Sequence, residues 1–233
     1  MPPPATVAPD ATVARVLAVF PAASTTPALI ETAAGAPAVL KFAGAGPGPF
    51  GLLTELIALA IAARLGAPVP AAGPLWLPPG LPWQVGTDEF DDMLRRSTGW
   101  NLGIAPFPDA RPATAADLAA ADPADLDAIA RADALLQNMD RTARNPNLLV
   151  SGGRLRAIDF DACLYLSRAV AGGRPPTAEL PRGHLLAGRP IPAAPRPALD
   201  PASLVAAAPD AWIAATGTTR SGLAQALATW LAA

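Results

Sequence analysis

Residues 138–161 have the sequence NMDRTARNPNLLVSGGRLRAIDFD. At its centre, Gly152 and Gly153 separate two apolar runs, a pattern typical of a two-residue β-hairpin turn because glycine tolerates the positive φ angles that such a turn requires. With both glycines in the turn, Val150 faces Leu155, and each further pair along the two strands follows from that register. The sequence therefore predicts a short hairpin with acidic and amide residues beyond its open end.

Extending the register brings Asn145 and Asp159 together at that open end. Cross-strand neighbours lie about 5 Å apart, close enough for an amide oxygen and a carboxylate to share a divalent cation. Such hard oxygen ligands suit Mg²⁺, which keeps several waters and phosphate oxygens in its shell. Asp140, in the loop before Asn145, is placed to accept a proton from an attacking hydroxyl. Asp161 has two open interpretations, a further metal ligand or a cap of the following helix.

All but one of the 17 Lys and Arg residues are arginine, and the exception is Lys41. Residues 38–42 form a predicted strand, and a helix carrying Glu55 follows. A lysine on a strand paired with a glutamate on the next helix is how protein kinases hold the phosphates of ATP. The alternative is a surface lysine without a role.

Residues 29–32 and 38–42 form a predicted hairpin around Gly35. The loop before it contains Ser24, Thr25 and Thr26. Hydroxyl groups and backbone amides in such a loop contact phosphate oxygens, and the same residue types are also ordinary turn formers. The glycine- and proline-rich stretch 44–49, predicted to be a flexible loop, matches neither a Walker A loop nor a dinucleotide-binding fingerprint.

Apolar periodicity and capping residues predict helices at 52–65, 88–96, 114–122 and 123–139. The sequence around the predicted helix 88–96 is rich in Pro, Gly and Trp, which is typical of a connector between two lobes. We interpret Arg141 and Arg144 as solvent-facing or paired with loop carboxylates, and His184 as structural.

The composition excludes several classes of function. A net charge of −2 offers no basic surface, so no nucleic-acid partner is expected. One cysteine and one histidine give no zinc-binding spacing and no internal disulfide. The apolar stretch 52–63 is short and contains Glu55, which argues against a membrane span, and a cytoplasmic protein is expected.

Five motifs together resemble the HipA-like branch of the kinase fold, particularly its compact bacterial kinase domains. They are VLKF at 39–42, TEL at 54–56, LGAPVP at 65–70, the NxDR-type loop with NPNLL at 138–149, and APDAWI at 208–213. The similarity extends over about residues 24–213. It implies that Lys41 binds ATP phosphates, Glu55 anchors Lys41, Asp140 is the catalytic aspartate, and Asn145 with Asp159 holds magnesium.

The chain departs from this family pattern at three places. Thr142 stands where the family often has histidine, Asp161 stands where it has glycine, and no glycine-rich loop precedes Lys41. In this respect the chain resembles small-molecule phosphotransferases, whose equivalent loop sometimes carries an acidic residue at the position of Asp161.

The expected fold is therefore α+β, a two-lobed protein-kinase-like fold with a strand-rich N-lobe at 1–75, a connector at 76–100 and a mostly helical C-lobe at 101–233. The resemblance implies an ATP- and Mg²⁺-dependent kinase acting on serine or threonine of a protein. A small-molecule or lipid kinase and a catalytically weak binding module are the alternatives. The sequence indicates neither the identity of the phosphate acceptor nor an oligomeric state.

Overall fold

The computed structural model describes residues 11–21, 25–81, 87–173, 179–191 and 198–232. The first strands are β1 (Ala11–Val19), β2 (Ala28–Thr32), β3 (Pro37–Lys41), β4 (Ala72–Leu77) and β5 (Gly99–Ile104). They form a closed barrel in the order β1-β2-β3-β5-β4. All neighbours are antiparallel except β1 and β4, which close the barrel through a short parallel pairing. The predicted hairpin around Gly35, formed by β2 and β3, is confirmed.

The barrel encloses an apolar core of its own. Buried and part-buried residues alternate along β2, as expected for a strand with one face toward a core. Ile30, Leu40 and Leu75 are fully buried in this cluster. The amphipathic helix α2 (Asp88–Arg96), confirmed at its predicted position, packs Phe90 into the same cluster. The strand-rich part of the chain thus has an apolar cluster of its own, while Leu102 and Ile104 of β5 are buried in the cluster formed with the helices.

β4 and β5 approach closely where Gly73 pairs with Gly103. A Cβ atom on Gly103 would overlap the side chain of Leu75, lying 2.5 Å from its Cγ. We expect Gly103→Ala to lower the free energy of unfolding by about 1–3 kcal/mol, the usual cost of overpacking a core. Urea denaturation measures the loss. Because Leu75→Ala removes the clash but also a buried side chain, the double variant should lose less than the sum of the two single losses, and strictly additive effects would contradict the steric explanation.

Helix α1 (Gly48–Arg64) is apolar on nearly every side and buried along most of its length. It begins four residues before its predicted start because Pro49, with φ already near the helical value, is tolerated in the first turn. The helix ends before Gly66, because the φ of 84° at this residue is incompatible with a right-handed helix. α1 packs on β5 and on helices from the second half of the chain, so it joins the barrel to the remainder.

The second half is mostly helical, with one small sheet. Strands β6 (Arg111–Pro112), β7 (Leu148–Ser151) and β8 (Arg154–Ala157) form that sheet in chain order. The helices are α3 (Ala115–Ala119), α4 (Pro123–Leu136), α5 (Tyr165–Val170), α6 (Pro201–Ala206), α7 (Asp210–Ala214) and α8 (Arg220–Ala232). They bury a second apolar cluster, which includes Trp212 at 1% exposure.

The mixed α+β class is as expected, but the segment 76–100 differs from a plain connector. Its first residues complete β4, its middle forms α2, and its last residues begin β5, which pairs with both β3 and β4. The barrel strands therefore continue to Ile104. Among the described helices, none is both long and apolar enough to cross a bilayer.

Candidate active site

Lys41 ends β3, and carboxylates enclose its ammonium group. Nζ donates hydrogen bonds to Oε2 of Glu55 and, at 2.6 Å, to Oδ1 of Asp159, while Oδ2 of Asp161 lies 3.6 Å away. Burial opposes the charge, but the attraction of the three carboxylates outweighs it and raises the pKa of Lys41 above its usual value. Lys41 is therefore a fixed cation where β3, α1 and the segment after β8 meet.

Glu55 lies within α1 and has no solvent exposure. Burial raises its pKa to about 7, against the attraction of Lys41. Oε1 of Glu55 has no hydrogen-bond partner among the described residues. An unused carboxylate oxygen in so dry a position has the capacity to accept a further donor or a cation.

The hairpin that delivers Asp159 has the predicted register. Val150 pairs with Leu155 and Leu148 with Ala157, which confirms the turn at the two glycines. One further backbone bond in the same register runs from Ile158 N to the oxygen of Asn147 at 3.0 Å. The chain then turns through Asn147 and Asp159, both with left-handed backbone angles (φ 47° and 61°). Asparagine and aspartate tolerate this conformation better than most residues do.

Asn145 lies beyond the paired strands, and its side chain forms hydrogen bonds within its own loop. Its Nδ2 donates to Oδ2 of Asp140 at 2.7 Å, and Nδ2 of Asn147 donates to the same oxygen at 3.0 Å. No hydrogen bond joins Asn145 to Asp159 in the described part of the chain. The sequence interpretation missed Asn147, although its spacing of two residues from Asn145 was a usable signal. Oδ1 of Asp140 accepts no hydrogen bond from a described residue and remains open to a ligand.

Carboxylate oxygens of Glu55, Asp159 and Asp161 all lie within 4.8 Å of one another. Burial and the neighbouring Asp159, against the attraction of Lys41, raise the pKa of Asp161. The predicted alternative, in which Asp161 caps the next helix, is wrong: α5 begins at Tyr165, its N-cap residue is Leu164, and no side chain forms a cap hydrogen bond there. This set of hard oxygen donors, with the unpaired oxygen of Glu55 among them, fits a divalent cation such as Mg²⁺.

Arg141 is fully buried, which corrects its interpretation as a solvent-facing side chain. It pairs with Asp133 of α4 rather than with a loop carboxylate, its Nε donating to Oδ2 at 2.6 Å. His184 is also buried and contacts the same oxygen at 3.1 Å, as a structural histidine would. Arg144 is exposed, as expected.

Of the three hydroxyl residues predicted to contact phosphate, Ser24 lies outside the described residues. Thr26 adopts a left-handed conformation with φ of 45°. Thr25 lines a small pocket together with Lys41, Asp161 and the first turn of α1. This places one of the predicted hydroxyl residues beside the cation and its carboxylates.

The loop that follows Lys41 is anchored at its start. Ala43 N donates to Oδ1 of Asn101 at 2.8 Å, and Gly44 N donates to Oγ of Ser97 at 2.9 Å. A Cβ on Gly44 would lie 2.7 Å from the same hydroxyl, so glycine is required for this approach. These bonds tie the segment between β3 and α1 to β5 and to the end of α2.

Comparison with known proteins gives little sequence-level information. No family model matches the chain, and no curated protein matches it. A solved structure that matches is the crystal structure of a Helicobacter pylori proinflammatory kinase, CtkA, with 17% identity and a TM-score of 0.38. The match covers 67% of this chain and 62% of that kinase, so the chain spans less than two thirds of its length. At this identity and overlap, the likeness assigns no role to any residue of this chain.

Proposed function

We propose that the protein is an ATP- and Mg²⁺-dependent phosphotransferase that moves the γ-phosphoryl group of ATP to a hydroxyl. The observation that carries this proposal is the position of Lys41, whose ammonium is shared between Glu55 on α1 and Asp159 after the hairpin. Phosphoryl transfer needs little covalent chemistry from the protein and depends on fixed charges around the phosphates. A lysine anchored by a buried glutamate supplies a fixed positive charge of that kind.

Asp159 and Asp161 would hold the magnesium ion, with Asn145 as a further oxygen donor from the neighbouring loop. When bound, the ion neutralises the charge of the phosphate oxygens. Asp159 already contacts Lys41, so a phosphate held by the lysine would lie next to the metal-binding carboxylates. Thr25, at the edge of the same pocket, has a hydroxyl available for a phosphate oxygen.

Asp140 would orient the acceptor hydroxyl and take its proton. Two amide groups hold Oδ2, and this leaves Oδ1 for the incoming hydroxyl. The loop is accessible, since Met139 beside Asp140 is 46% exposed and Asn145 is exposed. A surface-lying loop suits a large acceptor, so we propose serine or threonine of a protein, in line with the resemblance to HipA-like kinases.

The test is calorimetric titration with ATP, with and without Mg²⁺. We expect Mg²⁺-dependent binding by the wild type and a loss of at least about tenfold in that affinity, about 1.4 kcal/mol, for Asp159→Asn. Asparagine keeps the left-handed backbone at this position and removes the charge.

A matched control is Asp109→Asn, because Asp109 is exposed and also has a left-handed backbone, with φ of 51°. It should bind ATP as the wild type does. If the wild type binds no ATP under either condition, the proposed function is wrong. If it binds ATP but transfers no phosphate to any acceptor, including water, the chain is a binding module instead.

A further inference from the structure

Asp133 is the centre of a polar cluster that lies beneath the Asp140 loop. Its side chain, on α4, has no solvent exposure. Oδ1 accepts from Nδ2 of Asn138 at 2.9 Å, and Oδ2 accepts from Arg141 at 2.6 Å and from His184 at 3.1 Å. A buried carboxylate is tolerated only where charged and polar donors surround it in this way. The cluster is therefore built around one negative charge.

Two chains of hydrogen bonds connect the Asp133 carboxylate to the two ends of the Asp140 loop. At the first end, Oδ1 of Asn138 accepts a hydrogen bond from the backbone N–H of Asp140 at 3.1 Å. At the other end, Nη1 of Arg141 donates to the backbone oxygen of Asn147 at 2.6 Å and to that of Pro146 at 3.2 Å. The side chain of Asn147 in turn donates to the Asp140 carboxylate. Chains of hydrogen bonds thus connect Asp133 to the backbone N–H of Asp140, through Asn138, and to the carboxylate of Asp140, through Arg141 and Asn147.

Two further contacts, with Phe160 and Leu185, hold Arg141 in place. Its guanidinium lies over the ring of Phe160, 4.9 Å from the centroid. Its backbone oxygen accepts from Leu185 N at 2.8 Å. The arginine is therefore fixed at both its side chain and its backbone, and the second contact comes from the segment that carries His184.

His184 approaches from a segment 51 residues away in sequence. Nδ1 accepts from the backbone N–H of Leu186 at 3.1 Å. Because a backbone N–H can only donate, this contact assigns the ring hydrogen to Nε2, which donates it to Asp133. His184 therefore fills the last position on Oδ2 and fixes the direction in which that oxygen receives Arg141.

We propose that Asp133 and His184 are positioning residues that set the geometry of Asp140 through Asn138, Arg141 and Asn147. The role rests on the proposed phosphotransfer, in which Asp140 meets the acceptor hydroxyl. Neither residue touches the reacting groups. Their effect is on the placement of Asp140, and a misplacement of about 1 Å costs on the order of 10²-fold in rate.

The test uses His184→Ala and His184→Gln in the full chain. Alanine removes the donor to Asp133, whereas the glutamine amide nitrogen restores a donor near the place of Nε2. We expect His184→Ala to lower kcat for MgATP turnover by about 10- to 100-fold with the KM for ATP unchanged, and His184→Gln to recover most of the loss. Amide hydrogen exchange at Asp140 and Thr142 should accelerate in the alanine variant alone.

A second pair of variants lies on α4. Asp133→Asn removes the central charge, and Asp127→Asn is its matched control, because Asp127 pairs with Arg189 near the surface of the same helix. Asp127→Asn should leave both turnover and loop exchange unchanged. If Asp133→Asn does not fold, the His184 variants still decide the question.

The outcomes separate this proposal from the proposed function. If the wild type turns over ATP and His184→Ala leaves kcat unchanged, the positioning role is wrong. If His184→Ala accelerates exchange equally in the barrel strands, its role is general stability and the proposal is again overturned. If the wild type shows no turnover, the proposed function fails, and faster exchange confined to residues 140–147 would still support the control of this loop by His184.

Discussion

Replacing Asp140 by asparagine is expected to lower kcat for phosphoryl transfer by about 10²- to 10⁴-fold, the range that a positioned general base contributes. The amide keeps an oxygen that can accept from Asn145 and Asn147, so the loop should retain its shape. It no longer takes a proton from a hydroxyl at neutral pH. Because Asp140 contacts neither Lys41 nor Glu55, the affinity for MgATP should stay unchanged.

The measurement is transfer from γ-labelled ATP to protein acceptors, to the chain itself and to water, combined with calorimetric titration of ATP. Asp109→Asn again serves as the control for a neutralised aspartate. Equal losses of ATP affinity and of kcat in Asp140→Asn would contradict a role confined to the acceptor hydroxyl. Unchanged kcat would remove Asp140 from the chemistry.

Replacing Lys41 by methionine is expected to lower the free energy of unfolding by about 3–5 kcal/mol, since it leaves Glu55 as a buried carboxylate without its cation. Asp159 and Asp161 are partly exposed and can recover water, so the cost arises mainly at Glu55. Urea or thermal denaturation measures the change. Binding of ATP should be lost in the same variant, because the phosphate oxygens lose their lysine.

Two further variants identify the cause of this loss. Lys41→Met combined with Glu55→Met should recover most of the stability, because removing both members of a buried pair is often neutral or stabilising. Arg95→Met is the surface control: Arg95 pairs with Asp92, both are well exposed, and the expected change is below about 1 kcal/mol. A double variant as unstable as Lys41→Met alone would show that packing, and not the unpaired charge, causes the loss.

The sequence predicted the parts of the site that depend on local patterns. The Gly152-Gly153 turn fixes a hairpin register because side chains alternate strictly along strands, and that register placed Asp159 near the loop that contains Asp140. Lys41 and Glu55 were predicted as a pair from a strand followed closely by a helix, and the structure brings them into contact. Their functional roles remain predictions.

The parts that depend on distant segments were not predictable in this way. The bond from Asn145 to Asp140 was not predicted, because a register argument carries no information on which side chains meet within the loop beyond the strands. The burial of Arg141 depends on Asp133, eight residues earlier, and on His184, which lies in a Pro- and Arg-rich stretch with no periodic signal. Closure of the barrel depends on pairing between β1 and β4, which are separated by a helix and two strands.

The single lysine has a practical consequence for labelling chemistry. Acylating reagents attack unprotonated amines, and the ε-amine of Lys41 is buried, hydrogen-bonded and held in its charged form. In the folded chain the reaction at this amine is therefore slow, and the side-chain amine becomes reactive when the barrel and α1 separate. One residue thus reports, through the mass of one peptide, on whether the site is assembled.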